Sequence, residues 1–141
     1  MNNTEKDKAV YLQMIQEPIG RMSTTSAIFK GFSATIVAGI VTISYKDVND
    51  VILTLSFVPV FLFFLLDIYY LQLEKLYRYL YEQVRIGNHP VDYSIVLLKD
   101  RKCEAKACFW QCIASPSIWP FYFPMMTILV VTLIMHIRGI I

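Results

Sequence analysis

Charge is scarce in this sequence. Lys and Arg together number 13 and Asp and Glu 11, so charged residues make up 17 % of the 141. Soluble domains carry roughly 25 %. Histidine is scarcer, with His89 and His136 alone, and glycine occurs five times. No Ser/His/Asp set, paired catalytic carboxylates, metalloprotease helix or intramembrane protease motif is present, and no Gly-rich loop could cradle a phosphate. The chain is read as a non-enzyme with no cofactor and no nucleic-acid partner. Internal repeats and low-complexity tracts are also missing. The first 22 residues lack an apolar signal-peptide core and a cleavage-like site, so the first membrane helix is expected to act as its own targeting signal.

What the chain has in abundance is apolar surface, at 56 % hydrophobic and 14 % aromatic residues. The run Val51–Leu71 holds one charge, Asp67, in 21 residues. About 20 apolar residues rising about 1.5 Å each cross a hydrocarbon core of about 30 Å. Inside lipid the backbone must satisfy its own hydrogen bonds, so such runs are read as helices. The fold class expected is an all-α integral membrane protein. Its three transmembrane helices are placed at about 27–45, 51–71 and 117–137.

Four regions follow along the chain. Residues 1–22 form an amphipathic helix, capped at Asn3 or Thr4 and bent or broken by Pro18 and Gly20. Its apolar side carries Val10 and Met14 with Tyr11 and Ile15, then Ile19 and Met22. It either packs on the cytosolic block or lies in the membrane interface. Residues 23–71 form a transmembrane hairpin whose first span is capped by the Ser23–Ser26 cluster and whose turn runs from Lys46 to Asp50.

Residues 72–116 form a helical cytosolic block. Its first part continues the second span unbroken from Val51 to Arg85, with Glu74–Arg78 and Arg78–Glu82 ion pairs at i, i+4. Gly87 and Pro90 end that helix. The segment 91–98 reads as a short strand or an apolar helical turn, the helix being preferred, and Cys103–Ala114 reads as helical. Residues 117–141 hold the third span and a short outer tail, with Pro120 and Pro124 bending its entry. Tyr69, Tyr70, Tyr77, Tyr79 and Tyr81 suit an aromatic belt, as do Trp110, Trp119 and Tyr122.

Eleven of the 13 basic residues fall before the first turn or between the second and third spans; Lys46 and Arg138 are the exceptions. The positive-inside rule then puts the N-terminus and residues 72–116 in the cytosol and the C-terminus outside, in a plasma membrane. The two histidines end up on opposite sides and cannot share a site.

Four groups of residues are candidates for function. Lys30 lies 18 residues before the hairpin centre at Val48 and Asp67 lies 19 after it. At about 1.5 Å per residue both sit about 27–28 Å from the turn, so they can meet as an intramembrane charge pair that sets register, gates ions or senses the cytosolic block. Each could instead snorkel to the headgroups alone. Gly31, Thr35 and Gly39 form a small-residue stripe, either packing on the second span of the same chain or serving self-association or a pore lining. Ser33, Thr35, Thr42 and Ser44 would give that pore a polar surface, or bond back to their own helix.

Lys99, Arg101, Lys102 and Lys106 form a basic patch for lipid headgroups or an anionic ligand such as a signalling nucleotide. Cys103, Cys108 and Cys112 lie on the reducing side, so disulfides are not expected there. Without a C-x2-C knuckle they are read as small buried residues in preference to a metal site.

The arrangement resembles the SMODS- and SLOG-associated two-transmembrane effector families of bacterial conflict systems, the SLATT-like proteins. The resemblance covers residues 8–90. It rests on a lead helix ending in Arg21-Met22, the Lys30-Gly31 entry to the first span, and Leu66-Asp67-Ile68-Tyr69-Tyr70-Leu71 running into Glu74-Lys75-Leu76-Tyr77. It implies a pore-forming or membrane-disrupting effector of antiviral defence, driven by a nucleotide-generating or nucleotide-sensing partner. The function expected is therefore an oligomeric membrane-perturbing effector of a bacterial inner membrane, in contact with lipid and a cytosolic protein or nucleotide-signalling partner. The alternatives are a non-catalytic anchor for a soluble partner and a holin-like lesion former.

Overall fold

One proline and one glycine end two of the helices of this chain, and each proline acts according to its position within a turn. The computed structural model describes residues 3–44, 50–91, 93, 95 and 103–138. Five helices are present among them: α1 (Asn3–Ser44), α2 (Asp50–Leu55), α3 (Phe57–Ile86), α4 (Phe109–Ile113) and α5 (Trp119–Ile137). Counting α2 and α3 together, three of these are long and apolar enough to cross a membrane.

The expected break at Pro18 and Gly20 does not occur, because α1 is one helix of 42 residues. Proline inside a helix removes one backbone bond and costs about 3 kcal/mol. Here the residues on both sides of it are anchored. Tyr11 and Ile15 before it are fully buried with Leu80 and Val84 of α3, and Ile19 after it packs on the same cluster. Nor does the Ser23–Ser26 cluster start a new helix. The Thr24 and Thr25 hydroxyls donate to the carbonyls of Gly20 and Arg21, at 3.1 and 2.9 Å, within the continuous helix. Caps at Asn3 or Thr4 lie outside the described side chains.

The second long helix is not unbroken, as the sequence suggested, but is interrupted at Ser56. Pro59 is the cause. It has no N–H for the carbonyl of Leu55, and its ring crowds that carbonyl, so α2 ends at Leu55 and Pro59 falls in the first turn of α3. The Ser56 N–H still reaches the Ile52 carbonyl at 3.1 Å. The far end stops as expected. Gly87 has φ +84°, its N–H bonds the Val84 carbonyl, and the Asn88 N–H bonds the Gln83 carbonyl. These are the two bonds of a Schellman cap. Pro120 bends nothing: α5 begins at Trp119, two residues later than expected, so Pro120 occupies its first turn. Pro124 alone lies inside that helix.

The remaining segments correct the helical reading of residues 91–116. Val91, Tyr93 and Ile95 are not helical, and the rest of 92–102 lies outside the described residues. Cys103–Lys106 is a turn, and α4 starts only at Phe109.

The chain divides into two compact units, residues 1–26 with 69–112 and residues 27–68 with 113–141. In the first, the N-terminal half of α1 runs antiparallel to the end of α3. Tyr11, Ile15, Leu80 and Val84 form the core, and the Lys8 ammonium donates to the Arg85 carbonyl at 2.8 Å. The buried line on α1 is Tyr11–Ile15, while Val10 and Met14, expected on the same side, are exposed. Arg78 pairs with the nearly buried Glu74 at 2.6 Å, and Glu82 takes Arg85 instead of Arg78. The tyrosine belt is partly diverted inward: Tyr77 and Tyr81 pack on the core, and the Tyr79 hydroxyl donates to Glu104 at 2.9 Å.

In the second unit α5 lies against α2. Its buried stripe is Ile118, Tyr122, Met125, Leu129 and Thr132, spaced three and four apart as one helix face requires. The opposite surfaces are apolar and open, with Phe61, Leu62, Leu65 and Leu66 on α3 and Ile128, Val130, Val131 and Ile134 on α5. Soluble monomers rarely expose contiguous apolar surface on this scale.

Two glycines offer a matched test. Gly87 occupies the left-handed region, whereas Gly20 sits in open space in helix α1. Gly87→Ala should destabilise the protein by about 1 kcal/mol and Gly20→Ala should stabilise it by up to about 1 kcal/mol. Thermal unfolding in detergent micelles checks both signs.

Candidate functional site

Lys30 and Asp67 meet. The ammonium of Lys30 on α1 lies 2.7 Å from the Asp67 carboxylate on α3. The Asp67 side chain is fully buried and that of Lys30 is 17 % exposed. Neither snorkels alone. A carboxylate removed from water needs a counter-charge and hydrogen bonds, or it takes up a proton.

Helix α5 supplies a further partner. Tyr122 of α5 is 3 % exposed. Its hydroxyl interacts with the Asp67 carboxylate and the Ser33 hydroxyl, and it lies 3.4 Å from the Phe63 carbonyl. Ser33, one turn from Lys30 and fully buried, donates to the Phe29 carbonyl at 2.9 Å. Rings close the site: Phe29 and Phe32 pack on Phe63, and Phe64 meets Tyr122 edge-on at 5.4 Å. Three helices therefore place one acid, one base and two hydroxyls together in an apolar surround. The cluster can hold a charge and register three helices.

Tyr122 was expected at an interface, alongside Trp110 and Trp119. Those two are exposed, at 78 % and 55 %, but Tyr122 is inside. The signal that would have found it is the α5 stripe itself: a phenol at a position every three or four residues along a buried face needs a polar partner.

The small-residue stripe faces the other way. Gly31, Thr35 and Gly39 are all exposed, and a Cβ added at Gly31 or Gly39 would meet nothing within 4 Å. Packing on the second span of the same chain is thereby excluded for this stripe, because the face of α1 buried in the unit carries Ser33, Val37 and Ser44. The four hydroxyls proposed for a pore do not share a surface either. Ser33 and Ser44 are buried and Thr35 and Thr42 are exposed, and all four donate to carbonyls of their own helix at 2.8–3.0 Å.

Of the basic patch, Lys99, Arg101 and Lys102 lie outside the described residues. Lys106 is exposed and left-handed, with φ 52°, beside a hollow also lined by Lys75, Arg78, Tyr79 and Glu104. The cysteines are not the three small buried residues expected. Cys103 and Cys108 form a disulfide, and only Cys112 is buried and free. A helix from Cys103 would have set residues five apart about 140° around its axis. The turn at Lys106 instead brings their Cα atoms to 5.2 Å. Among the described residues no group of three His, Cys, Asp or Glu could hold a metal ion.

No protein-family model, curated protein or solved structure matches this chain. Its class is read from its own architecture: an all-helical protein with three helices long and apolar enough to span a membrane, consistent with a multi-pass membrane protein.

The ion pair makes a quantitative prediction. Lys30→Met and Asp67→Asn should each lower stability by about 3–5 kcal/mol, since each strands part of a buried pair. The double variant should lose clearly less than the two losses added together. Additive losses in a double-mutant cycle by denaturant unfolding would sink the pairing. Tyr122→Phe should cost about 1 kcal/mol.

Proposed function

We propose that this chain is a three-span inner-membrane effector that self-associates through the Gly31–Thr35–Gly39 face of α1 and perturbs the membrane as an oligomer. The N-terminus and residues 72–116 lie in the cytosol in this reading, and the C-terminus lies outside. The observation that carries it is that this face is uncovered in the single chain, on a helix of spanning length. In lipid, where apolar contact alone gives no drive, small residues let backbones approach and pack. Thr42 extends the face, three residues beyond Gly39. The reading agrees with the SLATT-like resemblance, which adds a cytosolic nucleotide-signalling partner as the source of the trigger.

The anchoring alternative is less well supported. It needs helix 72–86 to receive a soluble partner, yet Leu76, Leu80 and Val84 on that helix are already buried within the chain. A holin-like lesion former shares the self-association but would act without a trigger.

Gly39→Leu discriminates, because a Cβ added at Gly39 meets nothing within 4 Å among the described residues. Wild-type protein is expected to depolarise expressing cells, and Gly39→Leu protein, at equal abundance, to leave the potential intact. Depolarisation by both chains would remove the α1 face from the mechanism. An unchanged potential with both, together with a monomeric protein in crosslinking, would favour the anchor.

A further inference from the structure

Three cysteines fall within ten residues, and their surroundings divide them. Cys103 is exposed and bonded to the half-buried Cys108. Cys112 is fully buried and free. Burial pushes the Cys112 thiol up, with Lys75 opposing. A buried thiol is screened from oxidants in water, so the pair at the surface is the accessible one.

The bonded pair closes a structured loop. Lys106 turns the chain at φ 52°, and its N–H bonds the Cys103 carbonyl at 3.2 Å. Ala107 is fully buried, and Glu104 accepts the Tyr79 hydroxyl from α3. The disulfide thus holds the loop in a form docked on α3. The hollow beside it is lined by Lys75, Arg78, Lys106 and Glu104, with Arg78 also paired to Glu74.

Basic residues put this loop on the cytosolic side in the orientation proposed above, where glutathione and thioredoxin keep accessible thiols reduced. A surface disulfide there is not a permanent staple. We propose that Cys103 and Cys108 are a peroxide-responsive dithiol, open at rest, whose oxidation closes the 103–108 loop onto α3 through Glu104 and Tyr79. The inference rests on that orientation.

The chemistry balances with hydrogen peroxide as oxidant. The Cys103 thiolate attacks one peroxide oxygen and the O–O bond breaks, leaving a sulfenic acid and a hydroxide that takes a proton to become water. The Cys108 sulfur then attacks the sulfenic sulfur, the S–O bond breaks, and a second water leaves with the thiol proton. Two electrons pass from the two sulfurs to the peroxide. Cys112 is close enough to compete, since its N–H bonds the Cys108 carbonyl at 3.0 Å, but its burial keeps it out of reach of the oxidant.

The test traps thiols in cells expressing the full chain, by acid quenching and denaturing alkylation with a mass-tagged maleimide. Three tags are expected at rest and one after a brief peroxide pulse, with the remaining tag mapped to Cys112. Cys103→Ser should hold its two tags through the pulse, and Cys112→Ser should fall from two to none. Tyr79→Phe should shift the dithiol–disulfide balance at fixed glutathione about fivefold toward the open form, as loss of one ordinary hydrogen bond predicts. Three tags after peroxide, or a bond mapped to Cys108–Cys112, would overturn the proposal, and so would an unshifted balance in Tyr79→Phe. One tag at rest would overturn it too, and a second labelling tells why. A membrane-impermeant maleimide on intact cells, with Cys103 as the sole cysteine, reports the side of the membrane. Labelling there means the orientation was wrong; protection means the orientation stands and the dithiol idea alone fails.

Discussion

A fully buried carboxylate constrains everything around it. Asp67 sits in the most apolar stretch of the chain, and a lone ionised carboxylate there would cost many times the net stability of a small protein. The Lys30 ammonium at 2.7 Å makes the charge tolerable, and the hydroxyl of Tyr122 brings in a third helix. Moving any of the three along its axis by one residue would separate the groups. The polar cluster therefore specifies register, whereas the apolar faces around it would accept several.

The prolines show how strongly a residue's effect depends on where the turn places it. Pro59 and Pro120 sit in first turns, where the missing N–H has no partner to lose; Pro59 sets the interruption at Ser56 through the carbonyl behind it. Pro18 lies mid-helix, and α1 continues through it because Tyr11, Ile15 and Ile19 bind both flanks to one core. Local propensity and tertiary packing disagree at Pro18, and packing wins.

Two features point outward from these constraints. The stripe Gly31–Thr35–Gly39 is left bare because the opposite face of α1, carrying Ser33 and Val37, is the one the unit buries. The disulfide loop is set apart in another way: it is a short turn closed on itself by one covalent bond and docked on α3 by one hydrogen bond, with the buried free Cys112 close behind it in the chain. The first is the face we propose for assembly in lipid, and the second is the loop we propose as a redox-responsive element.

Helical class, the three apolar stretches and the level match of Lys30 and Asp67 were legible in the sequence. Each depends on counting residues along a helix, and the rise per residue is a constant of the backbone. The Schellman stop at Gly87 was legible for the same local reason. What faces what was not. Whether the stripe on α1 turns toward its neighbour, whether Tyr122 is a surface anchor or a partner of Asp67, and whether Pro18 breaks its helix all depend on contacts between residues far apart in the chain. Cys103 and Cys108 join this group, since their pairing follows from a left-handed Lys106 that no propensity favours. One-dimensional spacing determines which faces a helix possesses; only the packed structure selects the face it buries, because that choice minimises the exposed polar and unpaired groups of all the helices at once.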